Sequence, residues 1–285
     1  MSEMLIDYAR GVEKDIELQI GEALPQVFRR TYPVLEPGTQ MLLAVSLLRF
    51  HQIDALPIGF ERRDKKKHAV FGYSCLSKLL ETRPQDYGNF LKLPCEEASL
   101  ELSTVGDGES IGSLLKVFSR TKFGFAWAES ERFGGFASLR DLLELYSQGV
   151  IDSDMKAEEV ASPIFSLPKK TELRSVIKEM FDHRFRRIFV AGEKRLVTDR
   201  RIISFIFSTS RLNESSKKPE SLLSARLADV ETMEPLPVKS SLSISKAALS
   251  MQDASEECLV CEKGVITPWD LVMKPLAQKR LVIKK

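Results

Sequence analysis

The sequence predicts an α+β chain built from four repeats of a β-α-β-β-α unit. Two recurrences carry that expectation. Four apolar stripes at helical spacing follow one another along the chain, and each runs into two short β-prone segments split by a polar or glycine-containing turn. The period is about 60 to 70 residues, longer than a solenoid repeat and long enough for a small mixed unit.

The stripes place apolar residues at i, i+3, i+4 and i+7, one face of a helix. They are Met41, Ala44, Val45, Leu48; Ile111, Leu114, Leu115, Phe118; Leu173, Val176, Ile177, Met180; and Ile244, Ala247, Ala248, Met251. Thr39 and Thr171 stand just before two of them, where a hydroxyl can cap free N–H groups. The first strands read DALPI, GFAWA, RIFVA and ECLVC, and the second AVFGYS, GGFAS, RLVT and GVIT. Further helix starts follow at Lys78-Leu79-Leu80, Asp141-Leu142-Leu143, Arg201-Ile202-Ile203 and Asp270-Leu271-Val272. Leu5, Tyr8, Ala9 and Val12 give the N-terminal segment a helical face of its own, expected to pack on the first pair of repeats.

One such unit buries too little surface to stand alone, so pairing is expected, repeat one with two and three with four, around pseudo-twofold axes. The expected division is an N-terminal helical segment at 1–23, a first pair at 24–150 (repeats 24–83 and 84–150), a second pair at 151–278 (repeats 151–208 and 226–278) and a tail at 279–285. The polar stretch YSQGVIDSDMKAEE reads as the join between pairs, and STSRLNESSKKPESLLSA as a loop or short linker.

Composition narrows the function. Forty-two basic and 40 acidic side chains leave a formal charge of +2, which removes the simplest electrostatic case for a nucleic-acid or membrane-surface protein. A hydrophobic fraction of 43% with 29% charged residues is globular composition. No apolar run approaches the roughly 18 residues of a spanning helix. The acidic start MSEMLIDYARGVEKD does not read as a signal peptide, and four cysteines do not suggest a secreted disulfide framework. The chain reads as a soluble, reduced, cytoplasmic protein. Its three histidines, at 51, 68 and 183, form no catalytic or metal-ligand cluster in sequence, so an enzyme is disfavoured. Cys258 and Cys261 have CxxC spacing but no second ligand pair, and the basic run from Glu61 to His68 reads as a solvated hairpin rather than a nucleic-acid contact.

Several runs carry a resemblance. Gly264-Val265-Ile266-Thr267-Pro268-Trp269-Asp270-Leu271-Val272 and Phe136-Ala137-Ser138-Leu139-Arg140-Asp141-Leu142-Leu143 resemble the strand-to-helix signature of cystathionine-β-synthase (CBS) domains. The helix-to-strand phrases from His51 to Ile58 and from His183 to Val190 fit the same family. Four repeats in one chain are further similar in architecture to the regulatory gamma subunits of AMP-activated protein kinase, in which two pairs form a disk. The resemblance implies a regulatory, non-catalytic protein that needs no cofactor. Its ligand would be AMP, ADP, ATP or another adenosyl compound, whose occupancy is passed to a partner protein or an assembly state. A ligand-free scaffold or oligomerisation module, or a nucleic-acid-binding relative, is the alternative. Monomer and homodimer stay equally open.

In the family, a Ser or Thr closing the second strand and an Asp three residues on hold the adenosine. The resemblance assigns these roles to Thr267 with Asp270 and to Ser138 with Asp141. The chemistry is sensible, since a carboxylate makes charge-assisted bonds to ribose hydroxyls; the plainer role for each pair is to cap its helix. Repeat three reads Thr198-Asp199-Arg200-Arg201, with Arg201 at the carboxylate's position. Repeat one, read from Ser74 or Cys75, places Ser77 or Lys78 there. What repeat three lacks in carboxylate it has in cations. The resemblance to the gamma subunits gives Arg186, Arg187 and Arg200 the positions that contact phosphate there, with His183 and Arg201 beside them, and an arginine fork matches phosphate oxygens; the plainer role is a solvated basic helix end. Glu256 and Glu257 flank repeat four, so a ligand on Asp270 is expected to turn its phosphates toward those arginines. Neither Asp270 nor an arginine is expected to matter for folding.

Overall fold

The structure is a computed structural model, and it describes residues 18–29, 33–59, 68–130, 134–253 and 258–283. Leu5, Tyr8, Ala9 and Val12, the run from Glu61 to Lys67, and Glu256 and Glu257 lie outside the described residues.

Each repeat forms two helices and a small sheet. The helices are α1 (Met41–His51) and α2 (Ser74–Glu81), α3 (Ile111–Thr121) and α4 (Leu139–Ser147), α5 (Leu173–Asp182) and α6 (Asp199–Ile206), then α7 (Ile244–Asp253) and α8 (Pro268–Ala277). In repeats two, three and four a short leading strand lies parallel to the first arm of an antiparallel hairpin. These are β4 (Thr104–Gly106) with β5 (Phe125–Glu129) and β6 (Gly134–Ser138); β8 (Ser166–Leu167) with β9 (Arg187–Val190) and β10 (Leu196–Thr198); and β11 (Leu236–Pro237) with β12 (Leu259–Cys261) and β13 (Gly264–Ile266). Repeat one pairs β1 (Ala55–Ile58) with β2 (His68–Gly72); Leu35 bridges in parallel to Ile58, and β3 (Leu100–Leu102) adds to β2.

All sixteen stripe residues named above are buried, which is the physical origin of the repeat. Full burial of each larger aliphatic is worth about 1.5–3 kcal/mol relative to exposure. The caps differ from expectation. Gln40 and Glu172 occupy the N-cap positions of α1 and α5 without side-chain bonds, while the Thr39 hydroxyl donates to the Glu36 carbonyl. Ser110 does cap α3, accepting from the Ser113 N–H at 3.2 Å.

The chain divides into two compact units that interleave along the sequence. One comprises Met1–Thr31, Ser103–Pro163 and Pro235–Lys285, and so joins repeat two to repeat four. The other comprises Tyr32–Leu102 and Ile164–Glu234, joining repeat one to repeat three. Within each unit helices of two repeats meet: α4 lies against α7 and α8 in one unit, and α2 against α5, with α1 against α6, in the other. Each unit has its own apolar core.

Two stretches read as linkers are ordered. Tyr146, Ile151, Met155, Ala157 and Val160 are buried in their unit's core, β7 (Ile151–Ser153) pairs with β14 (Leu281–Ile283), and the unit boundary falls after Pro163. In the other unit Ser208 caps a helix at Thr209–Lys217, and Leu222 and Leu223 are buried, so the segment's few apolar residues override its polar composition. The described part of the N-terminal segment, Ile20–Ala23 and Pro25–Arg29, packs on repeat two, with the Ile20 N–H bonded to the Glu109 carbonyl.

Gly264 positions the candidate site in repeat four. Its φ of +146° is open to glycine alone, and a Cβ there would collide with the Ser162 carbonyl oxygen. That close approach lets Ser162 and Val265 exchange two backbone bonds, at 2.8 and 2.9 Å. Gly264→Ala is expected to destabilise this unit by about 3 kcal/mol, read as a lower urea midpoint, from backbone strain and overpacking together.

Candidate ligand-binding site

The sheet register fixes which residues are equivalent. Ser138, Thr198 and Thr267 each stand at the end of the second strand and cap the following helix; Ser138 faces Phe125, Thr198 faces Arg187 and, in repeat one, Gly72 faces Ala55. Three residues on stand Cys75, Asp141, Arg201 and Asp270. Repeat one thus corrects the sequence register: Cys75, fully buried, holds the carboxylate's position, not Ser77 or Lys78. The repeat still offers no carboxylate there.

In repeat four, Asp270 is only 4% exposed. Its Oδ2 accepts from the Thr267 N–H at 2.8 Å and the Thr267 hydroxyl at 2.7 Å, while the Asp270 N–H reaches back to Thr267 Oγ1 at 3.4 Å. This is a capping box. Oδ1 accepts from the Ser162 hydroxyl at 2.7 Å and lies 3.0 Å from Lys274 Nζ. The ammonium also donates to the Val160 carbonyl at 2.7 Å and to Ser162 Oγ at 2.8 Å. Asp270 therefore unites a helix cap and a buried ion pair.

In repeat two, Asp141 is 0% exposed, and its Oδ2 accepts from the Ser138 N–H and hydroxyl, both at 2.8 Å. Here too the pair caps its helix.

The cations of repeat three lie in the other unit. Arg186 is held by two carboxylates: its Nε bonds Asp199 Oδ2 at 2.6 Å, and its Nη2 lies 3.5 Å from Asp54 Oδ1. Its guanidinium carbon sits 5.2 Å above the Tyr73 ring, which stacks on Phe181. Burial raises the Tyr73 phenol pKa, with Arg186 pulling it down and Asp199 up. Asp199, 2% exposed, also accepts from the Arg200 N–H at 2.9 Å. Arg200 Nη1 donates to the Gln52 carbonyl at 2.8 Å. Gln52 holds a left-handed backbone, φ 52°, at the end of α1, which turns that carbonyl toward repeat three.

Arg49, Arg186 and Arg200 line one crevice with Asp54, Asp199 and Ser204, over Leu48, Ile53 and Ile203. Its cavity volume is small, about 10 Å³, room for about one water. Three guanidinium groups against two carboxylates leave a formal charge of +1. The other candidates stand apart from it. Arg187 lies in β9 opposite Thr198, and Arg201 pairs with the exposed Glu231 at 3.1 Å. His183 sits 3.2 Å from Glu179 and packs its ring among Phe165 and Phe185. Thr267 and Asp270 belong to one compact unit, and the arginines to the other.

Sequence reasoning missed Arg49, Asp54, Asp199, Ser162 and Lys274. Lys274 was findable, since it follows Asp270 by four residues on one helix face. Ser162 was not, because 108 residues separate it from Asp270. Trp269 packs against its unit's core, the four cysteines are free, and among the described residues no group of His, Cys, Asp and Glu could hold a metal ion. No described helix is long and apolar enough to cross a membrane.

No family model and no curated protein matches the sequence. Solved structures do match in fold. A Methanocaldococcus jannaschii protein, described as a proposed archaeal homologue of g-AMPK, superposes with a TM-score of 0.76 over 88% of this chain and 99% of its own, at 16% identity. An uncharacterised conserved protein from Pyrococcus horikoshii covers 88% of this chain and 97% of its own at a TM-score of 0.51 and 13% identity. At such identities the likeness is one of fold.

Proposed function

We propose that this chain, whose fold is that of four tandem CBS domains, is a non-catalytic regulatory protein whose input is a phosphate-bearing adenosyl ligand. The observation that carries this reading is the crevice lined by Arg49, Arg186 and Arg200. Guanidinium groups already oriented by Asp54, Asp199 and the Gln52 carbonyl lose little freedom when an anion arrives, and their forks suit phosphate oxygens. In repeat four, within the other compact unit, Asp270 is in this reading the ribose acceptor of a site of its own. Occupancy would be passed to a partner protein or an assembly state.

A thermal-shift panel of adenosine, AMP, ADP, ATP, S-adenosylmethionine and NAD tests the reading. Nucleotide phosphates should raise the melting temperature more than adenosine does, and added ATP should stay unhydrolysed. One observation favours a second reading, a ligand-free scaffold: Asp141 and Asp270 are buried and already bonded within the chain. A flat response to every compound at millimolar concentration would establish it instead.

A further inference from the structure

We propose that Lys274 is a resident occupant of the repeat-four acceptor, a cation that closes Asp270 to neutral hydroxyl ligands and that such a ligand must displace. An ionised carboxylate has about four lone-pair sites. At Asp270 all four are in use: Oδ2 by the N–H and hydroxyl of Thr267, Oδ1 by Ser162 and Lys274. An ammonium has three donors, and Lys274 directs all of them inward, to Asp270, Ser162 and the Val160 carbonyl. A ribose diol finds no vacant lone pair on this carboxylate.

Of these partners Lys274 is the one free to leave. Thr267 is held by the helix cap and Ser162 by its backbone bridge to Val265, whereas the Lys274 side chain keeps 32% of its surface exposed on a flexible stem. Once it swings to solvent, two incoming hydroxyls replace one charged donor, and the Ser162 hydroxyl can rotate to accept from one of them. The device belongs to repeat four alone. The residue four places after the equivalent position is Leu79, Leu145 or Phe205 in the other repeats, none of which carries charge. This inference rests on the reading of Asp270 as ribose acceptor.

Calorimetry with adenosine tests it on wild type, Lys274→Met and Lys274→Gln, each first shown by thermal melting to be folded at the assay temperature. Adenosine carries no phosphate, so the arginine crevice does not enter the comparison. The glutamine variant keeps an amide donor for the Val160 carbonyl, in case methionine unfolds the unit. Both variants are expected to bind adenosine at least about tenfold more tightly than wild type, the scale of one charge-assisted bond that no longer has to be broken. If wild type binds adenosine and the variants bind it no more tightly, the occupant role is overturned while Asp270 keeps its reading. If none of the three binds at millimolar concentration, both fall.

Discussion

Asp270→Ala should cost the protein about 3–4 kcal/mol of stability, lowering the melting temperature by roughly 10 °C. Two losses add. The N-cap of α8 loses its reciprocal partner, worth about 1 kcal/mol. The Lys274 ammonium and the Ser162 hydroxyl are left without the acceptor that both address. Because Lys274 is about one-third exposed and can turn to water, the ion-pair share lies at the low end of what breaking a buried pair costs. Asp270→Asn should fall between, since its amide oxygen still accepts but does not pair with the ammonium as a charge. A double cycle with Lys274→Met should show non-additivity of about 1 kcal/mol or more, as expected for residues in direct contact. A loss under about 1 kcal/mol for Asp270→Ala would mean that the carboxylate is not structural. The sequence alone had suggested that folding would survive this change; burial and the long-range contact to Ser162 reverse that expectation.

Arg186→Met should be the second large effect, a loss of about 3 kcal/mol read from urea unfolding. Asp199 is all but sealed from solvent, and Arg186 is its nearest cation at 2.6 Å. Removing the guanidinium takes that partner from Asp199, takes an ion-pair partner from Asp54, and uncovers the face of Tyr73. Arg186→Lys should recover part of the loss, because a point charge can meet one carboxylate but cannot bridge two while stacking on a ring. If lysine and methionine are equally harmful, geometry matters more than charge at this position. If neither is harmful, the network is decorative.

The parts of this structure that were legible in sequence are those set by local periodicity. The four helix stripes, the eight hairpin strands and the strand-to-helix junctions all appear where short-range pattern places them. Which helix faces meet was not legible, because the partners stand about a hundred residues or more apart. Similar reasons separate the site's visible and hidden halves. Ser138 with Asp141 and Thr267 with Asp270 announce themselves by spacing. Spacing does not reveal that Asp270 also meets Ser162 and Lys274, or that Arg186 is held between carboxylates of two repeats. Repeat one misled for a different reason: its serines suggested the hydroxyl position, whereas the register of β1 against β2 gives that position to Gly72.

Phosphate recognition at the repeat-one and repeat-three crevice is the central claim, and titration of ATP into wild type and Arg200→Met at two ionic strengths tests it most directly. Arg200 lines the crevice, and its side chain bonds the Gln52 carbonyl rather than a core group, so its replacement should leave folding largely intact. Wild type should bind ATP more tightly than adenosine, and the variant should bind ATP about tenfold or more weakly with adenosine unchanged. The difference should shrink as salt rises, because the lost interaction is a charge meeting a charge near the surface. Equal ATP affinity in wild type and variant at both salt concentrations, or no ATP binding by wild type, would contradict the claim.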